Sequence, residues 1–131
     1  MSNPTSMRVT DPGIRSLFTI ESRWQAWLDV EVLGVIPAEA VPEIAAKANL
    51  ALMDRDRIDE GLRQTAHPIV PLVWELSRIC DGDAGHYVHW GATTQNIVQT
   101  GDLLILRQTH KIFLQQLAAI LREMADLAER T

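Results

Sequence analysis

Cysteine is nearly absent: Cys80 stands alone in a chain of 131 residues, so no internal disulfide can form and no cluster of thiolates can hold a metal. We read Cys80 as a small buried hydrophobe. Basic charge is also scarce. A formal net charge of -5 gives no field for nucleic acid, and no tract forms a polybasic patch. No run reaches the eighteen or so uncharged apolar residues that a membrane-spanning helix needs. The polar start, Met1 to Arg8, lacks the apolar core of a secretory signal, which makes a cytoplasmic location the expectation. No His-to-His or His-to-Glu helical spacing suggests a metal site, and neither a metal nor any other cofactor is expected.

Strand signals are missing as well: no period-two alternation is sustained, and no Asn-Gly or Asp-Gly turn joins two apolar runs. Helical signals are plentiful, and the expected fold class is all-α. Thr19 is placed to cap a helix running through Ser22 to Val32, with Ile20, Trp24, Trp27, Leu28 and Glu31 at spacings of three and four. Its Trp face should be buried. The four tryptophans, Trp24, Trp27, Trp74 and Trp90, are expected chiefly as packing anchors.

Gly34 to Pro37 breaks that helix; Pro37 leads a short segment around Glu39 to Lys47, which Pro42 restarts. Asp54 caps a helix through Ile58, Leu62 and Thr65 that stops near His67-Pro68, since a proline disfavours helical geometry in the residue before it. Another helix spans about Pro71 to Ile79, turning Leu72, Val73, Leu76 and Ile79 inward. Asp81-Gly82-Asp83-Ala84-Gly85 is a turn.

From Thr94 to Arg130 there is no proline and Gly101 is the one glycine, so more than thirty residues can form a single helix of about 50 Å. Two apolar faces run along it. Leu104, Phe113, Leu117, Ile120, Met124 and Leu127 mark one; Leu106, Leu114, Leu121, Ala125 and Ala128 mark its neighbour. Four short helices cannot cover both, so this helix is expected in a bundle completed by other chains or further sequence. The expected organisation is a small helical domain over 1–93 and the start of a helical bundle over 94–131.

Between these parts lies His86-Tyr87-Val88-His89-Trp90-Gly91-Ala92-Thr93-Thr94-Gln95-Asn96, a polar, glycine-hinged segment rich in imidazole, hydroxyl and amide groups. It leads into a helix start, where unpaired N–H groups and a partial positive charge suit a carboxylate or phosphate. A plain helix cap at Thr93 or Thr94 fits the same pattern.

The run Val88 to Thr100, followed by Leu103 to Arg107, resembles the first signature region of the fumarase/aspartase superfamily, nearest to its 3-carboxy-cis,cis-muconate cycloisomerase and adenylosuccinate lyase families. Leu17-Phe18-Thr19, Trp27 to Glu31, Leu33 to Pro37 and His67 to Val73 stand upstream in the same order. The stretch Asp11 to Phe18 is more similar to the cycloisomerases, since the Arg-Tyr pair usual near the start of adenylosuccinate lyases is not evident. The resemblance implies a lyase or cycloisomerase catalysing anti β-elimination or addition on a dicarboxylate-type substrate, without a cofactor. It implies that Thr93 and Thr94 would grip the carboxylate, that Gln95 would assist, and that His89 and His67 would line the site. It also implies a homotetramer with sites shared between subunits, and no membrane or nucleic-acid partner.

The departures from the pattern are specific. Thr94 stands where Ser is usual, Asn96 and Gln99 where Asp is usual, and Val32 alone separates Glu31 from Leu33. There the family continues an alanine-rich helix, so about three turns are missing, whether deleted or left out of the chain. The general-acid histidine and the serine loop implied by the resemblance would lie beyond Thr131. No catalytic residue is therefore expected in this chain, which reads as an N-terminal portion inactive by itself. The rival expectation is a non-catalytic helical oligomerisation module whose polar loop merely caps a helix. His67 and His89 likewise have a second reading as core histidines, and His86 and His110 are expected at solvent or an interface.

Overall fold

The computed structural model describes residues 11–33 and 35–130. The polar start from Met1 to Arg8 and the Gly34 break lie outside the described residues. Six α-helices follow in order among the described residues: α1 (Ile14–Leu17), α2 (Ile20–Leu28), α3 (Val41–Lys47), α4 (Arg55–Thr65), α5 (Val70–Ile79) and α6 (Thr94–Arg130). Short 3-10 turns occupy Glu31–Leu33, Leu50–Leu52 and Ala84–Tyr87, and no strand occurs among the described residues. The all-α expectation agrees with this architecture.

Local chemistry sets most of the boundaries. The Thr19 hydroxyl accepts from Ser22 N–H at the start of α2, and the Asp54 carboxylate accepts from Asp56 and Arg57 N–H at the start of α4. Both satisfy donors that a first helical turn leaves unpaired. Ala66, at φ 52°, ends α4 in the left-handed region immediately before His67-Pro68. Pro42 sits in the first turn of α3, whereas Pro37 belongs to a preceding turn closed by Ala40 N–H on its carbonyl.

The expected helix from Ser22 to Val32 is shorter than its pattern suggests. α2 ends at Leu28, where Asp29 N–H still reaches Gln25 O and Val30 N–H tightens onto Trp27 O. The backbone then turns through Glu31–Leu33 as a 3-10 element. Beyond this turn, Val35 N–H donates to Trp90 O at 3.0 Å, which pins the chain beside the polar loop.

The core joins Trp24, Trp27 and Leu28 of α2 with Ile44, Ile58, Ile69, Leu72, Leu76, Val88 and Ile97. Cys80 and the expected inward residues Val73 and Ile79 pack partly buried against it. Burial pushes the Cys80 thiol up, which keeps it protonated and unreactive. Trp74 departs from the packing expectation: it lies on the outer face of α5 and is 52% exposed. Gln25 ties α2 to the following segment, donating to Ala48 O and accepting from Leu50 N–H.

Less than half of α6, from Thr94 to Thr109, packs on the domain. Ile97, Gly101, Ile105 and Thr109, spaced by four, are its buried residues, and they form the stripe that lies on α2. Gly101 permits that approach, because a Cβ there would stand 2.6 Å from Trp27 Cδ1 and 3.0 Å from Ala26 O. Beyond Thr109 the helix projects from the domain. Phe113, Leu117, Ile120 and Met124, and beside them Leu114 and Leu121, are each more than half exposed. No helix among the described residues is long and apolar enough to cross a membrane.

Candidate functional site

The polar loop is positioned from both sides. Upstream, Gly85 presses against α5 so closely that an added Cβ would overlap the Ser77 carbonyl oxygen. The Ala84–Tyr87 turn follows, and Val88 anchors the loop in the core. Downstream, Thr93 and Asn96 fasten it to the start of α6. Asn96 N–H donates to Thr93 Oγ1 at 3.1 Å, and Thr93 N–H and its hydroxyl both donate to Asn96 Oδ1, at 3.3 and 2.6 Å. This reciprocal cap satisfies donors at both ends of the turn. An amide at 96 thus serves as the acceptor for the cap, a use that the sequence pattern alone did not reveal.

Thr94 and Gln95 occupy the first positions of α6. Thr94 is half-buried and Gln95 exposed. With the Thr93 hydroxyl engaged by Asn96, the polar groups at this helix start that remain available to a ligand are the Thr94 hydroxyl and the Gln95 amide. The first turn carries no acidic residue, so nothing on it offsets the positive end of the helix dipole.

His89 lies four positions before Thr93 and takes φ 65°, a left-handed conformation uncommon for a residue with a side chain. Its Nδ1 lies 2.9 Å from Oε2 of Glu31. Glu31 is 2% exposed, and burial pushes its carboxyl up, with the hydrogen bond to His89 drawing it back in part. The sequence pattern puts Glu31 on the apolar face of a helix and gives it no role. A carboxylate in register with two buried tryptophans was the available signal, because such a group must find a polar partner.

His67 is held differently. Its Nδ1 accepts from Ile69 N–H at 3.3 Å, and its own N–H donates to Thr65 Oγ1. It thereby shapes the link from α4 to α5, and the acceptor role of Nδ1 leaves any ring proton on Nε2. The structure brings His89, Thr93, Thr94 and Gln95 together on one loop and helix start; no described hydrogen bond or ion pair joins His67 to them. His86 and His110 are exposed. Trp90 is 58% exposed and meets Tyr87 edge-on at 6.1 Å, so its ring is available to a neighbour instead of anchoring the core. A groove of about 490 Å³ lies elsewhere, between α2 and α6, lined by residues such as Gln25, Asp29, Gln108 and Lys111. None of the candidate residues lines it.

The architecture is that of the opening portion of an all-helical enzyme fold. It superposes on the 3-carboxy-cis,cis-muconate lactonizing enzyme of Pseudomonas putida with a TM-score of 0.69 and 29% identity, over 79% of this chain and 26% of that one. The adenylosuccinate lyase of Methanothermobacter thermautotrophicus is 38% identical over 135 residues, covering 97% of this chain and 30% of the relative. The N-acetyl-S-(2-succino)cysteine lyase of Dickeya dadantii is 32% identical over 127 residues, covering 91% and 28%. No protein-family model matches the chain. The chain belongs to the fumarase/aspartase superfamily and corresponds to the N-terminal portion of its members. It spans less than a third of the length of these relatives.

Proposed function

We propose that this chain supplies the carboxylate-gripping part of a lyase or cycloisomerase that carries out anti β-elimination or addition on a dicarboxylate-type substrate. The observation that carries the reading is the start of α6, where Thr94 and Gln95 stand on a helix N-terminus without an acidic neighbour in its first turn. In such a reaction a proton leaves the carbon beside a carboxylate, and the resulting charge spreads onto that carboxylate. Donors fixed at this position bind the charged species more tightly than the ground state, which lowers the barrier.

In this reading Thr93, Thr94, Gln95 and His89 form the substrate-binding set, with Thr93 acting through the loop it caps. His67 is a more distant member that orients the link from α4 to α5. No group in the chain is assigned the proton transfers. The exposed apolar length of α6 supports a homotetramer in which long helices from several chains cover one another and complete the site. Residues 94–131 would then open the central bundle and residues 1–93 form the outlying domain, in the cytoplasm.

Similarity to named lyases and to a lactonizing enzyme favours this reading over a passive oligomerisation module. Two substrate classes fit it: a carboxymuconate-like diacid closing to a lactone, and a succinyl adduct releasing fumarate. The test is to assay the complete enzyme containing this chain for lactone formation and for fumarate release. Activity on either supports the reading; activity on neither overturns it.

A further inference from the structure

Buried carboxylates need a partner, and Glu31 has one that lies 58 positions away. Its Oε2 meets His89 Nδ1 at 2.9 Å, and among the described residues His89 is the ionisable group that acts on it. No lysine or arginine among the described residues pairs with it. The carboxylate is 2% exposed, whereas the His89 side chain is 18% exposed, and among the described residues no hydrogen bond reaches His89 Nε2. The ring therefore has a fixed inner edge and a free outer one. The left-handed backbone at His89 is strained, and it is maintained where the side chain is anchored.

We propose that Glu31 is a positioning residue: it holds the His89 imidazole with Nδ1 inward and makes Nε2–H the outward donor to a substrate carboxylate. The chemistry follows from counting protons. A dyad that is neutral overall exists either as carboxylate with imidazolium or as carboxylic acid with neutral imidazole. In the first, Nδ1–H donates to Glu31; in the second, the Glu31 hydroxyl donates to Nδ1. Both put a proton on Nε2. Only the net-negative dyad presents a bare Nε2, and burial of Glu31 disfavours that charge. The direction in which burial moves the Glu31 carboxyl agrees. The dyad thus adds a third donor, on the loop that leads to Thr94 and Gln95. This role deepens the carboxylate-binding function proposed above and rests on it.

The test is nitrogen NMR of the His89 ring in the isotope-labelled complete enzyme containing this chain at neutral pH, with fumarate as the probe. Wild type should show a proton on Nε2, a hydrogen-bonded Nδ1, and an Nε2 signal that shifts on adding fumarate. Glu31→Leu should move Nδ1 to the position of an unbonded ring nitrogen and abolish the fumarate shift, and Glu31→Gln should restore part of both, since its amide N–H can donate to Nδ1 and leave the ring proton on Nε2. Unchanged Trp24 and Trp27 indole signals show that a variant has kept its core. A bare Nε2 in wild type, or an Nδ1 signal indifferent to Glu31→Leu, overturns the positioning role. A wild-type ring with the expected protons that ignores fumarate overturns instead the carboxylate-binding function.

Discussion

Thr93 and Asn96 cap one another across the first turn of α6, the threonine hydroxyl donating at 2.6 Å to the amide oxygen and accepting at 3.1 Å from the Asn96 backbone. Adjacent threonines therefore have separate duties: Thr93 fixes the helix start, and the half-buried Thr94 keeps its hydroxyl available. Thr93→Ala should lower stability by about 1 kcal/mol, the usual cost of a lost cap. Thr94→Ala should change it by less than half of that. Urea unfolding followed by circular dichroism checks the difference, and equal losses would contradict it.

Gly101 sets the distance between α2 and α6. Alanine would gain roughly 1 kcal/mol of helix propensity but would push a methyl carbon to 2.6 Å from Trp27 Cδ1 and 3.0 Å from the Ala26 carbonyl. Overpacking of this kind costs about 1–3 kcal/mol, and the backbone neighbour cannot swing away. Gly101→Ala should lower the thermal midpoint and change the tryptophan fluorescence. A rise in the midpoint would show that the two helices pack less closely.

Glu75 is the acid-sensitive point of the domain. Its carboxylate accepts from Arg78 Nη2 at 2.6 Å, from Arg57 Nε at 3.2 Å and from Asp54 N–H at 3.0 Å. The Arg78 hydrogen bond is the main reason that its carboxyl is held down at about 2. A depressed pKa means that the folded state prefers the ionised form, so the gain is complete above the ordinary value of 4.5 and disappears as pH falls to about 2. Glu75→Gln should destabilise the neutral protein by about 2 kcal/mol, since hydrogen bonds to a charged group are lost. It should also flatten the acid side of the stability curve. Parallel acid unfolding of variant and wild type would contradict the assignment.

Much of this architecture was legible because local chemistry decided it. Thr19 and Asp54 begin helices as capping residues do, and the stretch without proline from Thr94 runs unbroken to Arg130. Where tertiary contacts decide, the pattern misled. Asp29, Val30 and Glu31 contain no helix breaker, yet α2 stops at Leu28 because the chain turns to bring Glu31 beneath His89. That pairing spans 58 positions, so no window of periodicity contains it. The short 3-10 turns carry too few residues to show a period. Within the candidate site, the loop and its helix were visible from residue types alone, but the division of labour between Thr93 and Thr94 required the Asn96 geometry.

The most direct measurement is turnover by the complete enzyme with Thr94→Ala, assayed on whichever substrate class the wild type accepts. Loss of one fixed donor to the developing charge should lower turnover by about 100-fold, with the helical circular dichroism unchanged. Turnover equal to wild type would contradict the claim that the start of α6 grips the substrate carboxylate.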